Sequence, residues 1–166
     1  MLKSKLMTVA ALAILAVGSI GAISNAVADE ALNEEIIVRN TDELWHSGKY
    51  SFIDKYVSKD YIRHMPGGVK FVGRDGYREH VSGFRKSVPD YYASMDILVA
   101  DGDYVVVRYL GGGTHTGKGG AFGEPTGDKV AFTAMVIHRL SGGMMVEDWL
   151  EFSMVDCAVS TLAACK

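Results

Sequence analysis

Among the side chains able to move protons in this chain, five histidines and the carboxylates of its last strand-like segment are the candidates to weigh first. The histidines are His46, His64, His80, His115 and His138, and they form no HxxxH or HxH pair. No cysteine joins them, so no metal spacing is present. No GxSxG elbow offers a serine nucleophile, and neither Cys157 nor Cys165 lies in a nucleophile context. Residues 112–118, Gly-Gly-Thr-His-Thr-Gly-Lys, fit most of a phosphate-binding loop. Gly119 then stands where Ser or Thr is required, and the following Gly-Ala-Phe-Gly-Glu-Pro cannot open the helix whose N-terminus would face phosphate. Acid/base chemistry in a pocket remains, or plain binding. Glu147, Trp149, Glu151 and Ser153 share one face of an extended segment, because strand side chains alternate.

The elements that must position these groups are legible from periodicity. Residues 31–46 read as a helix with Leu32, Ile36 and Leu44 in an apolar stripe, beside Val38 and Trp45, stopped by Ser47-Gly48-Lys49. Residues 50–57 read as a short second helix facing inward through Phe52, Ile53, Tyr56 and Val57. Residues 60–64 are a short extended piece, ended by Met65-Pro66-Gly67-Gly68. Residues 75–87 read as a third helix with Tyr77, Val81 and Phe84 apolar, and Pro89 bars its continuation.

Beyond Pro89 the period becomes two, with Met95, Ile97 and Val99 alternating with polar or small residues. Asp101-Gly102-Asp103 signals a hairpin. Strands are expected at 104–109, 129–140 and 144–154, the last two joined by Ser141-Gly142-Gly143. Helices first and at least four antiparallel strands after them argue for an α+β domain, with helices packed on a curved sheet and a cavity between.

The first 28 residues read as a secretory signal. Lys3 and Lys5 precede an apolar run, and Ala26-Val27-Ala28 is a small-x-small cleavage site before Asp29-Glu30. The stretch 6–23 is nearly long enough to span a bilayer, but Gly18, Ser19 and Gly21 interrupt it and a cleavage motif ends it. The expectation is an exported protein, periplasmic or secreted, with no stable membrane span after cleavage. Cleavage removes two of 17 basic residues and none of 20 acidic ones, leaving residues 29–166 with a net charge of −5. An acidic domain without a basic cluster is a poor nucleic-acid binder. This length suits one domain. Cys157 and Cys165 are eight residues apart, roughly 12 Å along a helix, so a bridge between them needs a looped tail.

Several phrases recur in a familiar order: Ser47-Gly48-Lys49-Tyr50, His64-Met65-Pro66, Gly73-Arg74-Asp75-Gly76-Tyr77 and Val88-Pro89-Asp90. Then come Gly113-Thr114-His115-Thr116-Gly117, Pro125-Thr126-Gly127, His138-Arg139-Leu140 and Glu147-Asp148-Trp149. Together, over about residues 31–155, they resemble the SnoaL-like ester cyclase family of the NTF2-like superfamily. The resemblance implies a cone-shaped α+β barrel, a curved antiparallel sheet wrapped round N-terminal helices, with a deep apolar pocket. It implies acid/base catalysis on an apolar, polyketide-like carbonyl compound, such as an intramolecular aldol closure, without cofactor or metal. That chemistry needs a base at an activated carbon and a donor at the accepting oxygen.

The family commonly places an aspartate four residues after the strand tryptophan, both facing the pocket. Here that position is Ser153, which donates a hydrogen bond but is no base. Glu151 shares the face and is expected to take the acid/base role, aided by His138 on the neighbouring strand. Trp149, His115, His64 and Tyr50 are the expected substrate contacts. Two other readings stand beside this one: a binding protein that lost its catalytic aspartate, and a homodimeric module paired through its open sheet face.

Overall fold

Why the chain folds as it does is clearest at its apolar periodicities. The computed structural model describes residues 29–119, 123–155 and 165. The first helix, α1, spans 29–39 and runs on as a π-helical segment, Asn40–His46. It buries Ile36, Ile37 and Leu44, while Leu32, expected in its stripe, is exposed. Its C-terminal carbonyls would be orphans, but the Arg85 guanidinium donates to the Trp45 and His46 carbonyls. Helix α2, Ser51–Tyr56, buries Phe52 and Ile53. Helix α3, Gly73–Ser87, buries Tyr77 and Val81.

Six strands follow or interleave: β1 Val57–His64, β2 Lys70–Val72, β3 Tyr92–Asp101, β4 Tyr104–Thr114, β5 Lys129–Ser141 and β6 Met144–Val155. Their order is β2-β1-β6-β5-β4-β3. Every neighbouring pair is antiparallel except β1 with β6, which is parallel. The sheet is therefore mixed where an antiparallel one was expected, and it is curved without closing. Strand β2 had no signal in the alternation.

The helices cover the concave face, where Ile36, Phe52, Val57, Tyr61, Val105, Val107, Val136 and Met145 form one core. Burying each such side chain stabilises the fold by about 1.5–3 kcal/mol. The glycines 112 and 113, which mimic a phosphate loop in sequence, close strand β4 instead. A Cβ at Gly113 would overlap Val88 Cγ1 and stand 2.7 Å from Asp90 Oδ1. Close packing accounts for that run, and no helix follows it among the described residues.

Two bulges set which side chains face in. Met95 pairs with Tyr109 but Ile97 pairs with Arg108, leaving Asp96 extra. Met95 therefore packs on the core while Ile97 and Val99 are exposed and Leu98 and Ala100 turn inward. On β6, Leu140 pairs with Met145 but Arg139 pairs with Glu147, leaving Val146 extra. An extra residue reverses the faces beyond it.

No helix among the described residues is long and apolar enough to cross a membrane. The expected signal segment, 1–28, and Cys157 lie outside the described residues. Cys165 is disulfide-bonded.

Candidate active site

A cavity of about 1140 Å³ lies between the helices and the concave face of the sheet. It is large enough for a multi-ring ligand. The π-helical segment brings Trp45 to its wall, α3 brings His80 and Phe84, and the sheet brings Tyr109, Phe132 and His138. A π-helical turn at such a place is a common mark of a functional site.

Charge is concentrated at one point of this wall. Arg63, Asp148 and His138 stand side by side on three adjacent strands, β1, β6 and β5. All three are buried, at 3%, 0% and 1% exposure. Arg63 Nε donates to Asp148 Oδ1 at 2.9 Å and its Nη2 to Oδ2 at 2.7 Å, a two-pronged pair. The guanidinium also lies over the rings of Tyr77, 5.1 Å from the centroid, and Trp45, at 5.6 Å. Trp45 Nε1 donates to the Tyr77 hydroxyl at 3.0 Å, which donates to Asn40 Oδ1 at 2.9 Å.

Burial alone would raise the Asp148 carboxyl, but the Arg63 guanidinium overcomes it and holds the carboxyl below its ordinary range. His138 is shifted down by burial, which its carboxylate neighbour offsets only in part. The ring is therefore neutral at pH 7. Its Nδ1 is 3.3 Å from Asp148 Oδ2, an ion-pair distance without the alignment of a hydrogen bond. Its Nε2 has no protein partner among the described residues. A neutral imidazole beside a fixed carboxylate can accept a proton and be stabilised as the imidazolium.

The other expected residues fall elsewhere. Glu151 and Ser153 do share a face with Glu147 and Trp149, but that face is the outer one. Glu151 and Ser153 are exposed there and border a shallow depression with Arg108, Thr133 and Met135. The cause is the bulge at Val146. Counted from the buried Met145, strict alternation would turn Glu147, Trp149 and Glu151 inward, and the extra residue turns Asp148, Leu150 and Phe152 inward instead. Trp149 stacks on His64 outside the cavity, centroids 5.3 Å apart and planes 5° apart. His64 Nε2 is 2.8 Å from Glu147 Oε1.

His115 is buried in the loop after β4, where its backbone N–H donates to the Asp128 carbonyl at 2.9 Å and its Nδ1 is 3.5 Å from Thr126 Oγ1. It does not line the cavity, and nor does Tyr50, which packs against the core under the Arg78 guanidinium. Of the expected residues, the cavity gathers His138 alone. Asp148, Arg63 and His80 are the groups that periodicity missed. The Gly142-Gly143 turn brings His138 opposite this stretch of β6, and only the bulge selects Asp148 over Glu147.

The family model for the SnoaL-like polyketide cyclase matches residues 35–158. No curated protein matches the chain. Among solved structures, a protein assigned as a SnoaL-like polyketide cyclase from Jannaschia sp. CCS1 is 19% identical, with a TM-score of 0.70, over 75% of this chain and 88% of that one. A protein assigned as a polyketide cyclase from Acidithiobacillus ferrooxidans is 28% identical, with a TM-score of 0.64, over 74% and 88%. IdmH from Streptomyces antibioticus, also assigned as a polyketide cyclase, is 24% identical, with a TM-score of 0.63, over 73% and 91%.

Proposed function

Because this chain belongs to the SnoaL-like polyketide cyclase family, we propose that its cavity performs cofactor-independent acid/base chemistry on an apolar carbonyl compound, of the aldol-cyclisation type. The observation that carries this reading is the buried row Arg63–Asp148–His138, of which Arg63 and His138 line an aromatic-walled cavity and Asp148 lies behind them. His138 Nε2 takes a proton from a carbon activated by carbonyl groups. Asp148, held ionised by Arg63, stabilises the imidazolium that results. The base role thus passes from Glu151, on the outer face, to His138. The protein acts after export, in the periplasm or outside the cell, with residues 1–28 as the cleaved signal.

Solvent-deuterium exchange at the activated carbon of ethyl benzoylacetate, followed by proton NMR, tests the reading. The wild-type protein is expected to accelerate exchange. His138→Gln is expected to lose about 10²–10⁴-fold of that acceleration, and Glu151→Gln to keep it. Exchange that survives His138→Gln would sink the assignment. A second reading, a binding protein without catalysis, is favoured by one observation: Asp148 is fully engaged by Arg63 and is not free to act as a base itself. Tight binding of the ester with no exchange would select it.

The outer sheet face supports a homodimer. Val99, Val106, Ile137 and Trp149 form one cross-strand row, and Ile97, Arg108, Met135 and Glu151 the next. Ile97, Val99, Met135 and Ile137 are exposed. A two-fold axis along β5 would set Arg108 of one copy over Glu151 of the other.

A further inference from the structure

The acid/base reading calls for a second group in the cavity. A carbon acid that loses its proton sends charge to a carbonyl oxygen, and that oxygen needs a donor. Arg63 faces the cavity, but Asp148 holds it in a two-pronged pair. Ser153, the donor suggested by the resemblance, is on the outer face. His80 reaches the same cavity from the helix side, while His138 reaches it from the sheet.

The surroundings of His80 differ from those of His138. Its contacts are the Trp45 ring, edge-on with centroids 5.5 Å apart, and the Phe71 ring at 4.6 Å. No carboxylate is paired with it among the described residues. Glu79, its neighbour on α3, is exposed and also borders the cavity. Enclosure pushes its pKa down to about 3, with Arg63 on β1 adding to the shift and Asp148 on β6 opposing it. The residue is half-buried and lines the cavity. A ring that stays uncharged always carries one N–H to donate. It also takes no part in proton uptake that would compete with His138.

We propose that His80 is the oxyanion donor of this cavity, meeting through its ring N–H the oxygen that gains charge when His138 removes a carbon-bound proton. The proposal rests on the acid/base reading above and adds a second residue to it. The C–H electron pair moves onto the oxygen as an enolate, and the proton moves to His138 Nε2. His80 forms a hydrogen bond and transfers no proton. Return of a proton from His138 to carbon restores the starting state, so no co-reactant is needed.

The test uses two probes with the mature protein. The first is 4-nitrophenolate, which mimics the charged oxygen and is followed by its absorbance. Its neutral counterpart is 4-nitroanisole, followed by competition. His80→Leu is expected to weaken phenolate binding about tenfold or more, the effect of losing a hydrogen bond to a charged group. It is expected to leave the anisole within about twofold. His80→Gln, which keeps a donor, is expected to recover most of the phenolate affinity. The second probe is deuterium exchange of ethyl benzoylacetate, expected to slow about 10²–10³-fold in His80→Leu.

Equal loss of phenolate and anisole binding would show a packing role and overturn the proposal. Failure of the wild type to bind phenolate would overturn it too. Exchange lost in His138→Gln but intact in His80→Leu would overturn the His80 role and leave the acid/base reading standing. No exchange in the wild type, with selective phenolate loss in His80→Leu, would overturn the acid/base reading and keep His80 as an anion donor.

Discussion

His80 and His138 both enter the folded state with lowered proton affinity, the first through enclosure by rings and the second through burial. An unfolded histidine titrates near pH 6.5. Each therefore contributes stability that is fully present above about pH 6.5 and is lost as pH falls towards the folded value, which for His80 is about 3. Asp148 acts lower on the scale. Its contribution is present above about pH 3.9, its unfolded value, and is lost as pH falls further. Urea midpoints measured in steps from pH 7.5 to 4.5 should decline, with at most about 1.4 kcal/mol per pH unit from each histidine. His80→Phe should flatten part of that decline, and an unchanged slope would contradict this account. At this scale the sequence is only half legible. His138 stands out as a histidine on an apolar strand, but nothing in Glu147-Asp148-Trp149 marks the aspartate as the one that turns inward.

The Arg63–Asp148 pair is also the tie between β1 and β6, the one parallel contact in the sheet. Breaking a buried pair leaves a charge without its partner and costs about 3–5 kcal/mol. Arg63→Met should lower the stability to urea by that amount. Denaturation curves followed by tryptophan fluorescence would check it, because the guanidinium lies over the Trp45 ring. A change under about 1 kcal/mol would mean that Asp148 finds another counter-charge. The helices were readable because burial imposes a 3.6-residue period over α1 and a clear stripe on α3. The bulges at Asp96 and Val146 were not, because one extra residue changes the phase of a strand without needing glycine or proline to mark it. Strand β2 was hidden by its length of three residues, too short for any period to show.

At the scale of the whole molecule, Ile97, Val99, Met135 and Ile137 lie exposed side by side on the outer face. Contiguous patches of this kind mark contact surfaces. Met135 is central, flanked by Arg108 on β4 and Glu151 on β6. Met135→Glu should convert a dimer to a monomer by sedimentation, while deuterium exchange in the cavity on the other face is retained. A wild-type monomer at micromolar concentration would refute the pairing. The order of elements and the eight phrases made the α+β architecture and the family legible. The direction in which the last strand presents its side chains was not, and the site depends on that direction.

The extra residue at Val146 makes strand β6 a two-position selector. With it present, Asp148 is buried and Leu150 and Phe152 line the cavity. Loss of a single codon there would present Glu147, Trp149 and Glu151 to the interior, exchanging one carboxylate for two and moving the aromatic ring along the wall. A lineage carrying this fold can thus replace the whole chemical lining of its last strand by one in-frame deletion, with no substitution at any lining position.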